Sequence, residues 1–275
     1  MKKIIVPLDG SELADGVLKH VERLLGQEPC EVTLLRVLPP QDAVEEVPGQ
    51  FELERRAAEV HLDNVALRLT EVGARVKKLT RQGDPAAEII FAVDELGPDL
   101  VAMSSHGRGG VMRWIRGSVA ERVLRSSPAS LLLITAKGLD RNIEQRLRRI
   151  LVPLDGTETS ARVLPLVQEL AGLHGAEVLL LRVERGLLVA SRSPEEVAAS
   201  LDPQAERLRQ QGLAVRVVAA RGDPASQVLD LAEDEDVDLI AMVSSGRTGV
   251  ERVIEGSVTE KVLRHGRRPL LVVRV

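Results

Sequence analysis

The sequence has 275 residues, 44% hydrophobic and 28% charged, a composition typical of soluble globular domains. Lysine and arginine number 18 against 21 acidic residues in 1–140, and 19 against 20 in 141–275, so neither half carries the clustered basic charge of a nucleic-acid-binding surface. No apolar run is long enough to span a membrane, no signal peptide is recognisable, and the single Cys30 excludes an intrachain disulfide, so we expect a cytoplasmic protein.

Two motifs occur twice in the chain. VPLDGSE at 6–12 returns as VPLDGTE at 152–158, and GDPA at 83–86 returns at 222–225. The offsets of 146 and 139 residues are about half the chain length, which favours a duplicated domain. We predict one domain over residues 1–140 and a second over 150–275, joined by a polar linker at 141–149.

Within each half, short apolar runs rich in Val, Ile and Leu alternate with longer segments of helical periodicity. This alternation is typical of βαβ units and predicts an α/β fold, with two tandem doubly wound domains that each contain a five-stranded parallel sheet. The predicted strands are 3–6, 32–37, 74–79, 100–103 and 130–134 in the first half, and 150–153, 177–183, 214–219, 239–242 and 270–274 in the second.

Aspartate followed by proline predicts the start of one helix in each half. Asp84-Pro85 and Asp223-Pro224 each offer an N-cap oxygen before a proline at the first helical position, where the missing N–H costs nothing. We interpret both GDPA motifs as structural.

A glycine-rich loop follows the fourth predicted strand of the first half, beginning SSHGRGG at 104–110. Ligands of doubly wound sheets bind beyond the carboxyl ends of the strands, where the strand order reverses. Loop glycines and the helix that starts after Gly117-Ser118 present N–H groups that favour a phosphate. Ser118 can donate to that phosphate or form a capping box with Glu121, and the two roles are compatible.

Asp9, directly after the first strand, leaves two interpretations open. The segment 9–12 can cap the first helix, or the carboxylate can accept from ribose hydroxyls or hold a phosphate-bound Mg²⁺ through water. The sequence contains neither a Walker A motif nor a complete G-x-G-x-x-G. Ser105-His106 does not predict a catalytic triad, because adjacent side chains on an extended loop diverge.

Taken jointly, these motifs resemble the universal stress protein family in its tandem two-domain form. The resemblance covers nearly the whole chain and rests on VPLDGS/T, GDPA, and SSHGRGG followed by GSVAERVL. It implies the adenine nucleotide alpha hydrolase-like fold of that family, pairing of the domains through their last strands, and a possible homodimer or protein partner. Members that bind ATP carry G-x-x-G, nine residues, then G-S or G-T, with an aspartate after the first strand.

In the first half this pattern falls on Asp9, Gly107, Gly117 and Ser118, while Ser104 replaces the first glycine. Serine is small and can donate a hydrogen bond, so it is compatible with a bound nucleotide. The resemblance thus implies ATP, with Mg²⁺ reached indirectly by Asp9, as the ligand. The expected nucleotide-binding residues are Pro7, Asp9, Val37, Ser104, His106, Gly107, Arg108, Gly117, Ser118 and Val119.

The second half matches the pattern less well. Val243 replaces the first glycine, and a β-branched residue resists positive φ and crowds a phosphate. The charged residues between the glycines of the first loop are all arginines, whereas the second loop also contains Glu251 and Glu255. Alternatively, these charges lie on a solvated face and do not affect the ligand. We therefore expect a weaker second site, formed by Asp155, Gly246, Gly256 and Ser257.

The resulting hypothesis is an ATP-binding stress-response module that acts in nucleotide-dependent signalling or protection and turns ATP over slowly or not at all. The alternatives are an interaction scaffold that binds no nucleotide, and a weak ATPase. The nine-residue glycine spacing retained in both halves argues against the scaffold, and the lack of a candidate general base other than Asp9 argues against the ATPase.

Overall fold

A computed structural model describes residues 2–25, 30–41, 49–105, 119–135, 138, 146–184, 193–243 and 258–274. The chain divides into two compact units, Met1–Leu139 and Asp140–Val275. None of the helices within the described ranges combines the length and apolar character that crossing a bilayer requires.

The first unit contains a five-stranded parallel sheet in the order β3-β2-β1-β4-β5. Its strands are β1 (Lys3–Pro7), β2 (Glu31–Leu38), β3 (Arg75–Gln82), β4 (Leu100–Ser104) and β5 (Ser130–Ile134). Its helices are α1 (Glu12–Asp15), α2 (Val17–Leu24), α3 (Gln50–Glu71), α4 (Pro85–Leu96) and α5 (Val119–Ser126).

The second unit repeats this arrangement, with the parallel strand order β8-β7-β6-β9-β10. Its strands are β6 (Arg149–Pro153), β7 (Glu177–Glu184), β8 (Val215–Arg221), β9 (Leu239–Val243) and β10 (Leu270–Val273). Its helices are α6 (Glu158–Ala161), α7 (Leu164–His174), α8 (Pro194–Ala199), α9 (Asp202–Gln210), α10 (Pro224–Asp234) and α11 (Val258–His265).

All ten predicted strands are confirmed, and their burial explains why they could be recognised. The inner strands are predominantly apolar because helices cover both faces of a parallel sheet, and all five residues of β4 are buried. The edge strand β3 is different, because exposed charged residues alternate with half-buried ones along it. It runs three residues past the predicted end, since it pairs with β2 as far as Leu38 with Gln82.

The two Asp-Pro helix starts are also confirmed. The Asp84 side chain accepts a hydrogen bond from the Ala87 backbone N–H at 2.9 Å, and α4 begins at Pro85. Asp223 accepts equivalently from the Ser226 N–H at 3.1 Å, and α10 begins at Pro224.

One long helix in the first unit corresponds to two short helices in the second. Helix α3 has 22 residues, whereas α8 has 6 and α9 has 9. Pro203 lies in the first turn of α9, where its missing N–H and its ring are compatible with a helix start but not with a continuous helix. Sequence alone thus explains the interruption.

An aspartate fastens the amino end of the first strand in each unit. Asp99, just before β4, accepts hydrogen bonds from the backbone N–H groups of Lys2 and Lys3 at 2.7 and 3.0 Å. Asp238, just before β9, accepts from Arg148 and Arg149 at 2.7 and 3.1 Å. Partial burial opposes ionisation of Asp99, but its two backbone donors and the nearby positive charges lower the pKa of its carboxyl group.

We predict that Asp238→Ala lowers the free energy of unfolding of its unit by about 2–3 kcal/mol, and Asp99→Ala by about 1 kcal/mol. Asp238 is only 8% exposed and its two hydrogen bonds are partly buried, so water replaces them less readily than it replaces those of the exposed Asp99. Urea unfolding of each variant beside wild type measures the difference. Equal losses would contradict the dependence on burial.

The Asp99 contribution should also depend on pH. Because the folded pKa lies below the ordinary value, the stabilisation is present above the unfolded pKa and is lost as the pH falls through the folded one. The difference between Asp99→Ala and wild type should therefore vanish in acid.

Candidate functional site

The strand order of each sheet reverses between its first and fourth strands. In the first unit β1 pairs with β4 through Ile4 with Leu100 and Ile5 with Val101, while β2 and β3 continue on one side and β5 on the other. The carboxyl ends of β1 and β4 consequently border the crevice in which doubly wound sheets bind ligands. Pro7 ends β1, Asp9 follows it, and Ser104 ends β4, so these three predicted site residues lie at this edge.

Asp9 forms a tight turn with the start of α1. Its Oδ1 accepts hydrogen bonds from the Ser11 N–H at 2.9 Å and from the Ser11 hydroxyl at 2.6 Å. Ser11 is itself the N-cap, because its Oγ accepts from the Ala14 N–H at 3.2 Å. Segment 9–12 therefore does cap the helix, through Ser11, and Asp9 orients that cap from the edge of the crevice.

The second unit has the same turn with matching distances. Asp155 Oδ1 accepts from the Thr157 N–H at 2.9 Å and from the Thr157 hydroxyl at 2.6 Å, and Thr157 caps α6. Burial opposes ionisation of Asp155, but these hydrogen bonds, one from Ser160 and the charge of Arg182 lower the pKa of its carboxyl group. The carboxylate is thus held in its anionic form beside a permanent positive charge.

Each unit has an arginine at the carboxyl edge of its sheet that the sequence motifs did not indicate. Arg36 on β2 is only 7% exposed and donates from Nη1 to the Leu8 carbonyl oxygen at 3.2 Å. Arg182 on β7 donates to the Leu154 carbonyl oxygen at 3.4 Å. Their spacing of 146 residues equals that of the VPLDG motifs, and this was the available signal. Each arginine binds the residue immediately before the aspartate turn.

Arg182 also explains the glycine in the second of these turns. A Cβ atom on Gly156 would lie 2.7 Å from Arg182 Nη1, too close for any side chain to be accepted without a shift of the guanidinium. Gly156 in addition has a φ of 81°, in the region that favours glycine. The aspartate turn and the arginine therefore pack as one unit.

The positions where the family pattern has its first glycine are both at strand ends. Ser104 is buried and pairs in register with Ile134, and Val243 pairs with Val273 as the last residue of β9. Asp236 is the one non-glycine residue with positive φ among those described. The expectation that Val243 is unfavourable because it resists positive φ is therefore wrong, since its strand backbone requires none. The steric argument, that its branched side chain crowds a phosphate, remains a prediction.

Two of the remaining predicted nucleotide-binding residues, Val37 and Val119, lie among the residues that the structure describes. Val37 is half-buried on β2, opposite Arg81 of β3, and Val119 begins α5 as a half-buried residue. The other predicted residues of both loops lie outside the described residues, namely His106, Gly107, Arg108, Gly117, Ser118, Gly246, Gly256 and Ser257.

The GDPA motif has a second role that the sequence did not indicate. The carboxylate of Asp84, which caps α4, also pairs with the Arg122 guanidinium of α5 at 2.8 Å. The Arg122 hydrogen bond, followed by that from the Ala87 N–H, lowers the pKa of Asp84. Asp223 and Lys261 form the corresponding pair at 3.3 Å. The motif thereby connects to the helix that follows each glycine loop.

Direct metal binding finds no support in the parts of the chain that the structure describes. They contain no group of three or more His, Cys, Asp or Glu side chains that could hold an ion. The indirect role of Asp9, through Mg²⁺ on the phosphates of a nucleotide, stays a prediction.

These features define a class of protein, namely a tandem pair of doubly wound α/β domains with an aspartate turn at the switch point of each sheet. The model of the universal stress protein family matches residues 1–135 and again 146–274. The chain therefore belongs to the universal stress protein family and contains two copies of its domain.

Similar proteins agree with this assignment. Universal stress protein MJ0577 of Methanocaldococcus jannaschii is 29% identical over 155 residues, which cover 50% of this chain and 96% of that protein. Universal stress protein MT2698 of Mycobacterium tuberculosis is 25% identical over 293 residues, which cover 98% of this chain and 96% of that protein.

A solved structure that covers nearly the whole chain supports the fold as well. The crystal structure of a universal stress protein from Archaeoglobus fulgidus matches with 25% identity and a TM-score of 0.79, covering 99% of this chain and 96% of that chain. A universal stress protein in complex with cAMP is similar to one half of the molecule, with 19% identity, a TM-score of 0.41 and coverage of 47% of this chain and 98% of that chain.

Proposed function

We propose that this protein is an ATP-binding stress-response module that holds the nucleotide mainly in its first domain and acts in signalling or protection. The observation that carries the proposal is the edge between β1 and β4, where the Asp9 turn and the strand that leads into the glycine loop lie side by side. Membership of the universal stress protein family and the retained glycine spacing support it.

The proposed roles follow the chemistry of each group. Asp9 supplies a carboxylate that can accept from ribose hydroxyls or, through water, hold Mg²⁺ on the phosphates. Gly107, Gly117 and Ser118 match the family pattern for phosphate contact, and α5, which begins at Val119, directs its dipole and free N–H groups toward an anion. Pro7 and Val37 are proposed to contact the nucleotide from β1 and β2.

Slow or absent turnover is part of the proposal. Hydrolysis needs a base that can activate water, and Asp9 is the candidate that the sequence offers at this edge. Its Oδ1 already accepts two hydrogen bonds from Ser11, so this oxygen is engaged in the turn that caps α1 and is poorly placed to take a proton from water. ATP is therefore proposed to act as a bound signal rather than as a substrate.

Calorimetry with Mg-ATP on the purified full-length protein tests this function, together with analysis of any nucleotide that co-purifies. We expect one dominant site per chain and phosphate release well below about 1 s⁻¹, the lower end of ordinary enzyme turnover. The absence of both binding heat and co-purified nucleotide would favour the scaffold without nucleotide. Release at several per second would favour the ATPase.

A further inference from the structure

Helix α3 carries an apolar stripe on the face that its own domain does not use. Leu53, Val60 and Leu67 are 69%, 61% and 66% exposed, and they recur every seven residues, which is two helical turns. The side chains that α3 buries in the core lie on the opposite side of the helix, and they are Ala58, Leu62, Val65 and Leu69. The stripe therefore contributes nothing to the core of its unit.

The second unit shows that the fold does not require such a stripe. At the repeat offset of 139, Leu67 corresponds to Glu206 of α9, while the buried Leu69 corresponds to the buried Leu208. The core position is kept in both units, whereas the outward position is apolar in only one. A solvent-exposed leucine in one copy and a glutamate in the other is the difference expected of an interaction surface.

From this surface we infer that the chain forms a homodimer in which α3 packs antiparallel against α3 of a second copy. An apolar residue at every seventh position returns to nearly the same side of a helix, so the stripe can run along a partner helix that crosses at a shallow angle. Reversal of the second helix about Val60 places Leu53 against Leu67 of the partner subunit and Val60 against its own equivalent. The stripe is thus complementary to itself.

The charges beside the stripe are complementary in the same arrangement. Arg56 lies four residues before Val60 and Asp63 three residues after it, and both are exposed. At 3.6 residues per turn they fall about 40° and 60° from Val60 on the same flank. The antiparallel pair therefore brings each Arg56 opposite Asp63 of the partner subunit, whereas a parallel pair would place these charges beside the opposite flank of the partner helix, where Ala57 and Asn64 offer no counter-charge.

The existing partners of these two charges are compatible with this contact. Arg56 pairs with Glu52 at 2.9 Å within its helix, and Asp63 with Lys78 of β3. Each of these pairs is exposed to solvent, so the dimer would extend them into alternating networks without burying an unpaired charge. The other flank presents Ala57 and Asn64, which are neutral.

Sedimentation velocity of the full-length protein across a range of concentrations tests the inference. We expect a reversible dimer whose dissociation constant rises at least about tenfold in Val60→Glu and in Val60→Lys, because each places two like charges face to face. An equimolar mixture of the two variants should restore the dimer. A monomer at all concentrations, or a dimer unaffected by either variant, would overturn the inference.

Charge reversal tests the antiparallel direction. Arg56→Asp alone should weaken the dimer, and the double change Arg56→Asp with Asp63→Arg should restore it, since the reversed pair again attracts. Leu173→Glu is the control for an exposed leucine outside the stripe, and Arg207→Asp on α9 is the control for the same charge change in the second unit. Failure of the double variant to recover, with circular dichroism unchanged, would contradict the direction.

Cross-linking provides a readout that does not depend on affinity. In a Cys30→Ser background, Val60→Cys should give a covalent homodimer with a short bis-maleimide. Leu53→Cys should not, because the two copies of residue 53 would lie about 20 Å apart at 1.5 Å per residue. A mixture of Leu53→Cys and Leu67→Cys chains should cross-link. Efficient cross-linking of Leu53→Cys alone would overturn the antiparallel arrangement.

Discussion

Gly117→Glu should remove most of the ATP binding of this protein, with a dissociation constant at least about 100-fold higher than that of wild type. The proposed function, through the match to the family pattern, assigns Gly117 to the part of the loop whose backbone would approach the phosphates. A glutamate adds both bulk and a negative charge there, and two like charges about 4 Å apart at a protein surface repel by roughly 4 kcal/mol. Calorimetry with Mg-ATP on the full-length variant measures the loss.

Gly256→Glu is the matched control, because it makes the same change in the second half of the chain. We expect at most a small effect on total binding, since the second loop contains Glu251 and Glu255 and follows Val243 rather than serine. Circular dichroism should show that both variants keep the fold. Equal losses would indicate two equivalent sites, and a larger loss in Gly256→Glu would contradict the preference for the first domain.

Asp9→Ala is expected to raise the dissociation constant for ATP at least about tenfold and to destabilise its unit by about 1 kcal/mol. The affinity falls because the substitution removes the proposed acceptor for ribose or for Mg²⁺. The stability falls because it also removes the hydrogen bonds that orient the Ser11 cap. Calorimetry and urea unfolding of the same variant separate the two contributions.

Asp155→Ala resolves the two interpretations of Asp9. Asp155 forms a turn with the same two distances, 2.9 and 2.6 Å, so its loss should cost a similar amount of stability. It should leave most ATP binding intact, because it lies in the weaker site. If both variants reduce stability and neither reduces ATP affinity, the aspartate is a structural residue alone.

Much of the fold could be predicted because local and global signals agree. The buried strands are mostly apolar, and Pro85 and Pro224 begin helices where the absence of an N–H is harmless. The edge strand β3 was less well delimited. Its charged residues give no burial signal, and its true end at Gln82 depends on pairing with β2, which is distant in sequence.

The site could be predicted only in part, because some of its groups act through contacts between distant segments. The motifs located Asp9 and Ser104 at one edge, since carboxyl ends of neighbouring parallel strands must meet. Arg36 carried no motif of its own, and its role depends on packing against the turn that follows β1. The expectation for the Val243 backbone is wrong because a glycine in a family pattern does not by itself require positive φ, and this position is an ordinary strand end.

The aspartate that fastens each first strand also constrains when a domain can be completed during synthesis. Asp99 lies 97 residues beyond the Lys2 amide that it accepts from, and β1 stands at the centre of its sheet with β4 as one neighbour. A nascent chain can pair β1 with β2 early, but the other side of β1 stays open until residue 99 and β4 have left the ribosome. Closing so long a loop is costly in chain entropy, so the first domain should acquire its stable sheet late and cooperatively. A similar separation, 90 residues from Arg148 to Asp238, imposes a similar delay on the second domain.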